Sequence, residues 1–460
     1  LSSGLQISNN TFTNTGYNPI FTDYQNGLQI NGNTMNPSVN ANRGMELHYC
    51  DGALQVMKNK ISLTNSAYGI YLYYCDGGTG LPTPRGLTAN NFITVGGNTT
   101  AYGIDLYACT NQDVYYNSVN ITSTYAAGGL GMYVDGGGSS INLVNNVFAN
   151  QGGGYAYYIG ATTAINTSNY NDLYTTGNYI ARWGATDKTT LATLQAASGK
   201  DANSINVYPH FNGLKDLHTP SPWLNAKGTP LTTVTDDIDG EARNGATPDI
   251  GADEYAPPGG ATPPLSGSYT IGSGGNYATF AAARNDLLLK GVSGAVTFNV
   301  LNGVYIEQLS LLQVPGSSSS NTITFQSQSG NAASVTMFYA AAGTGDNYVV
   351  RLEGADYIRF QNMTLASNNV AASTYAQVIN IFGDVEDLRV QNNILTGTQT
   401  TGGATSQVII YGDNTLYNSR IFTGNTFNDG SYAVYMSGIS TALSSGLQIS
   451  NNTFTNTGYN

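Results

Sequence analysis

Charged side chains are scarce in this 460-residue sequence, which holds 28 Asp and Glu against 16 Lys and Arg. The densest acidic run is Asp236, Asp237 and Asp239, followed by Asp249, Asp253 and Glu254. Carboxylates so spaced suit a hard cation, and DDIDG begins like a calcium loop. It lacks the further ligands and the distal Glu of such a loop, and Arg243 stands among the carboxylates to offset them. The patch therefore reads first as a structural ion-pair turn, with Asp236, Asp237 and Asp239 the Ca2+ candidates. Asp384, Glu386 and Asp387 in GDVEDL have the alternation of a solvated turn. Asp51 and Asp76 each follow a cysteine, and Asp135 falls in the slot of that cysteine column. Glycoside hydrolysis needs a facing carboxylate pair, and lyase chemistry needs a carboxylate–Ca2+ site with a basic side chain. None of these groups, nor His48, His210 or His218, has a dyad or triad spacing. No catalytic residue is assigned, no cofactor is expected beyond the Ca2+ candidate, and the reading is that of a non-enzyme.

The elements that would position such groups are short and repetitive. An apolar residue, two spacers, Asn, one spacer and another apolar residue recur with Asn10, Asn33, Asn59, Asn117 and Asn146, and again with Asn393, Asn425 and Asn452. Near Asn90 and Asn91 the phase slips. Alternation on either side is the period-2 signature of strands with one buried face. A second strand motif, GMELHYC, GIYLYYC, GIDLYAC and GLGMYVD, aligns on first glycines 25, 34 and 26 residues apart. The longer interval holds GGTGLPTPRG (77–86), an inserted loop. Coils of about 25 residues with equivalent residues in register imply strands stacked ~4.8 Å apart, that is, a parallel β-helix. An Asn at a fixed buried place in each coil can bond its amide to the rungs above and below. Cys50, Cys75 and Cys109 share one slot and are expected as a column of buried structural thiols, since stacked neighbours lie beyond the Cβ separation a disulfide prefers. Tyr71, Tyr73, Tyr74, Tyr107 and Tyr133 recur in the same strands, where outward members could stack on sugar rings.

Residues 443–460 repeat residues 1–18 without a difference, at an offset of 442. The reading is a window of slightly more than one period of a tandem array. Residues 1–255 would be the C-terminal part of one unit, with its end cap at about 178–255 covering the open solenoid. Residues 256–267, APPGGATPPLSG, would be a Pro/Gly linker, and 268–460 the capping helix and first coils of the next unit. Helices are expected at 189–198, with Asp187 as N-cap, and at 277–290. Charged residues make up only 10% of the chain and the net charge is −12, which argues against nucleic acid or an anionic membrane surface as partner. No apolar run reaches the ~18 residues of a membrane-spanning helix.

The opening YTIGSGGNYATFAAARNDLLLKGVSGAVTFNVLNGVY and the closing DDIDGEARNGATPDIGADEY resemble the two ends of secreted right-handed parallel β-helix repeat proteins of Gram-negative bacteria, large cell-surface proteins often exported by the type IX route. The resemblance implies an all-β, right-handed parallel β-helix with short capping helices, repeated in tandem, and an extracellular location; the superfold itself assigns no activity. The expected function is structural or adhesive: an array of units forming a surface fibre or filament, whose partners are identical neighbouring units and surface glycans or other cells. A polysaccharide-binding adhesin module is the alternative, and a polysaccharide lyase or hydrolase the one after that.

Overall fold

A computed structural model describes all residues except 1, 37–41, 66–67, 79–83, 257–262, 368–372, 414–417, 439–442 and 457–460. The chain forms two compact units, Leu1–Ala261 and Thr262–Asn460. Each is a parallel β-helix in which every coil contributes one short strand to each of three sheets. In the first unit sheet A runs from Gln6–Ser8 to Ile165–Asn169, sheet B from Thr11–Thr13 to Asp172–Thr175, and sheet C from Ile20–Asp23 to Ala181–Trp183. In the second unit sheet D runs from Leu265–Ile271 to Ser445–Ser450, beside sheets of six and five strands.

Sharp corners make such short strands possible. Between sheets A and B the residue before each ladder Asn is left-handed, as at Asn9 (φ 59°), Lys58 (57°), Asn90 (54°) and Asn145 (60°). That conformation costs a residue with a Cβ free energy, and the following Asn offsets it with hydrogen bonds. Asn33 Nδ2 donates to Asn59 Oδ1 at 3.0 Å and to the Ile7 carbonyl at 2.8 Å. The same bond links Asn10 to Asn33, Asn117 to Asn146, Asn393 to Asn425 and Asn425 to Asn452. Asn91 joins the ladder between Asn59 and Asn117, and Asn171 extends it past Asn146. At Asn90/Asn91 two consecutive Asn do different work: Asn90 turns the corner and Asn91 is the rung. Asn171 escapes the sequence pattern because its preceding apolar slot is Ser168.

Cys50, Cys75 and Cys109 are free, buried and stacked, with Cys75 Sγ accepting from Cys50 N at 3.4 Å and donating to the Leu47 carbonyl at 3.3 Å. Asp135 does not share their slot. Sheet C pairs Gly103 with Gly131 rather than Gly129, since Ile104 faces Met132 and Tyr107 faces Asp135. The interval is 28 residues instead of 26. GLGMYVD holds two glycines two apart, and a two-residue slip keeps every side chain on its own face, so alternation cannot choose between them. Packing does choose: a Cβ on Gly103 would lie 2.3 Å from Val119 Cγ1 and 2.5 Å from the Gly131 carbonyl, and one on Gly131 would lie 2.6 Å from the Ala156 carbonyl.

Helix α1 is Leu191–Ser198, capped by Thr190 rather than Asp187, whose carboxylate pairs with Arg182 and Tyr155. Helix α2 is Phe280–Lys290, capped by Thr279, with Phe280, Ala283, Leu287 and Leu288 buried. The expected linker lies partly outside the described residues, as does the loop at 77–86. Within 256–267 a strand already begins at Leu265, which is buried and pairs with Val292. Residues 200–255 do more than cover an open end. They run back along the outside of the solenoid, where Leu217, Ile238 and Ala252 bury Phe92, and Val207, Leu224 and Ile250 bury Val147 and Tyr174. The outward apolar residues Phe92, Val144, Val147 and Ala149 of these sheets are covered in this way.

Candidate functional site

Sheet C keeps its outer face free of that tail, and there the chemistry-bearing residues gather. The inward residues of its strands, such as Met45, Leu47, Ile70, Leu72, Ile104 and Leu106, fill the core. The outward ones stack in columns. One reads Phe21, Glu46, Tyr71, Asp105, Tyr133, Tyr158 and Arg182; a second reads Asp23, His48, Tyr73, Tyr107 and Asp135. A third carries Arg43, Tyr68, Tyr102, Leu130 and Tyr155. At the following corner Tyr24, Tyr49 and Tyr74 are all left-handed and stack at 4.8 and 5.6 Å between ring centroids. The rings hold one another: Tyr73 stacks on Tyr107 at 5.5 Å, and Tyr68 meets Tyr102 edge-on at 4.9 Å. Most are half-buried, so part of each ring stays open to solvent.

Charge is embedded among these rings. Arg43 lies over Tyr68 and Tyr71 at 4.7 and 4.9 Å and donates to Glu46 at 2.9 Å. Glu46 is also 3.0 Å from His48 Nε2. Asp105 is only 3% exposed, and its Oδ1 has no hydrogen-bond partner. Burial pushes its carboxyl well above the ordinary range, Arg43 pulls it back, and Asp135 raises it further. Burial thus favours the protonated form of this carboxyl, which can donate as well as accept. Tyr133 donates to Asp135 at 2.9 Å. Burial likewise raises the Tyr102 hydroxyl to about 12. The surface offers Tyr rings and hydroxyls repeated at the strand spacing of ~4.8 Å, with the buried carboxyls of Glu46 and Asp105 among them.

The other expected groups are dispersed. Asp236 pairs with Lys58 at 2.6 Å; Asp237 is fully buried and accepts from the backbone N–H groups of Asp239, Glu241 and Glu254; Asp239 faces Lys60 and His218. The three carboxylates of DDIDG thus turn to three different partners. Arg243 is buried, donating to Asn90 Oδ1 at 2.8 Å and lying 4.2 Å over the Tyr116 ring, which pins the returning tail to the coils. Asp51 Oδ1 accepts from Asp76 N at 3.0 Å, so this pair approaches through the backbone. Asp387 is held by Arg359 and Arg389, at 2.8 and 2.9 Å. Asp105 is not singled out by spacing; its signal is an acid flanked on both sides by Tyr, at Tyr71 and Tyr133, in one outward column.

No family profile matches this chain, and no curated protein matches it. Among solved structures, a deglycosylated pectin methylesterase from Aspergillus niger is similar at 15% identity and a TM-score of 0.27. That alignment covers 42% of this chain and 60% of the esterase, so the chain spans less than two thirds of its length. The PL6 family alginate lyase AlyGC is similar at 11% identity and a TM-score of 0.17, over 98% of this chain and 86% of the lyase. Both of these proteins are enzymes, and the expectation that this chain is no enzyme is withdrawn on that finding. At these scores the likeness transfers no catalytic residue or substrate. No helix among the described residues is long and apolar enough to cross a membrane.

Proposed function

We propose that the chain is an extracellular structural and adhesive protein, built as a tandem array of β-helix units, whose sheet C presents a polysaccharide-binding track. The observation that carries the reading is the Tyr face: stacked, half-buried rings in three columns along the solenoid axis, with Asp105 and Glu46 between them. Aromatic rings bind the C–H faces of pyranoses, and Tyr hydroxyls beside carboxyl groups match sugar hydroxyls. Tandem assembly is supported by the duplicated segment. In its first copy Ile7 pairs with Ile30 of the following coil; in its second Ile449 pairs with Phe422 of the preceding coil. The strand around this isoleucine thus accepts a neighbouring coil on either side. Affinity electrophoresis through gels carrying neutral and acidic polysaccharides tests the reading. Retardation by at least one polysaccharide, lost in a Tyr71→Ala/Tyr102→Ala/Tyr133→Ala variant that still melts cooperatively, is expected. Equal mobility of both proteins across the panel would remove the binding half of the proposal.

A further inference from the structure

The returning tail brings together three donor atoms from separate segments. His218 Nε2 lies 2.5 Å from Asp239 Oδ2 and 4.0 Å from Asp253 Oδ1, and all three donors fall within 4.8 Å of one another. The other ring nitrogen, Nδ1, contacts the Asp216 carboxylate, which fixes the tautomer and aims Nε2 at the two aspartates. The ring is further steadied edge-on against buried Phe92, 4.9 Å away. An open cavity lined by Asn212, Thr219, Glu241 and Tyr255 adjoins the donors.

Two features distinguish this from an ordinary surface ion pair. Asp253 is 8% exposed, yet the cationic nitrogen paired with it stands 4.0 Å off, and Arg243 goes instead to the Asp253 main-chain carbonyl and to Glu254. Apart from a hydrogen bond from the Thr219 backbone, its carboxylate is left facing the cluster. The charges, too, are unbalanced. Asp216, Asp239 and Asp253 face His218 and Lys60, the latter 3.2 Å from Asp239 Oδ1. Even with the imidazole protonated one negative charge remains, whereas a divalent cation on a neutral imidazole cancels it.

We propose that His218, Asp239 and Asp253 bind a divalent transition cation, Zn2+ foremost, with Asp216 as the positioning residue for the imidazole. One imidazole nitrogen and two carboxylate oxygens with an open side are the donor set of such ions, and a nitrogen ligand disfavours Ca2+. Tetrahedral Zn2+ with bonds near 2.0–2.1 Å holds its donors roughly 3.3 Å apart. The two His218 separations, 2.5 and 4.0 Å, bracket that value, so sub-ångström to ångström movements of partly exposed side chains complete the site. A carboxylate on the second ring nitrogen is the usual companion of a metal-bound His. The cation would tie Asp239 and Asp253 of the closing segment to His218, cross-linking separate stretches of the tail.

The test uses the full chain, stripped with EDTA and titrated with Zn2+ by calorimetry and by thermal melting. One equivalent bound with a raised melting midpoint is expected. His218→Gln and Asp253→Asn should each abolish both signals, and Asp216→Asn should weaken binding by about 10–100-fold. Co2+ bound to the unaltered chain should give the visible bands of a low-coordinate nitrogen–oxygen site, a readout that stands if a variant does not fold. The proposal is overturned by an absence of Zn2+ heat and midpoint shift, by variants that bind as the parent does, by preference for Ca2+, or by a Co2+ spectrum of the hydrated ion. His218 would then be an imidazolium clamped between Asp216 and Asp239.

Discussion

The two units place aromatic ladders on opposite sides of the same kind of parallel sheet. In the second unit Phe298, Phe325 and Phe360 stack inside sheet D at 4.9 and 5.5 Å and are fully buried. Its outward positions are polar, with Gln326 donating to Asn299 and Gln361 to Gln391. In the first unit the core slots of sheet C hold mostly Met, Ile, Leu and Val, with Tyr157 buried among them, and the Tyr columns stand outside. A ring inside contributes its whole area to the core, whereas a ring outside leaves a face for something else. Identical coil geometry thus serves stability in one unit and display in the other. Glu46, Asp105 and Asp135 lie on the display side.

The sharpest way to break this comparison is to remove one ring from each ladder. Phe360→Ala should cost about 3–5 kcal/mol in the transition of its unit, as a buried aromatic does. Tyr102→Ala should cost only about 1 kcal/mol, the scale of an aromatic pair. Denaturant unfolding of both variants checks this, and equal losses would mean that the Tyr columns are core in all but name. The Asn ladder is common to both units and provides the internal control. Asn117→Ala and Asn425→Ala each orphan buried backbone and amide groups, and each should cost about 1–3 kcal/mol. A large loss in one unit alone would show that the ladder is not the shared device it resembles. The smallest effect concerns Asp105. Its folded-state carboxyl is raised, so the stability linked to its proton is intact below the unfolded value of about 3.9 and declines as pH rises through the folded value. Asp105→Asn should therefore melt with the parent near pH 4 and above it at pH 7. A parent that outlasts the variant at pH 7 would mean that Asp105 is ionised and paired.

Much of this fold was legible in the sequence because a solenoid writes its packing as a repeat. The interval between Asn10 and Asn33 is the length of a coil, and the alternation around Ile7 and Phe12 gives the buried face. Helix α2 was readable for the same reason, through Phe280, Ala283, Leu287 and Leu288. What escaped shares a physical cause: side chains meeting across contacts that carry no period. The slip between Gly129 and Gly131 preserves alternation and is resolved only by the closeness of Val119 to Gly103. The tail's path along sheets A and B depends on Leu217, Ile238 and Ala252 finding Phe92, more than a hundred residues away. His218 and Asp216 stand two apart in the sequence, but nothing local announces that Asp239 and Asp253 come to join them. Asp105 likewise became conspicuous only when its column put Tyr71 and Tyr133 on either side.

The central claim, that the Tyr columns form one continuous polysaccharide track, is tested most directly by calorimetric titration with oligosaccharides of increasing length, prepared from whichever polysaccharide retards the chain in a gel. Affinity should rise with each added sugar until the oligomer spans the coils from Tyr71 to Tyr158, and then level off; in the Tyr71→Ala/Tyr102→Ala/Tyr133→Ala variant the rise should be absent. Affinity independent of length, or a rise that survives in the variant, would contradict the account.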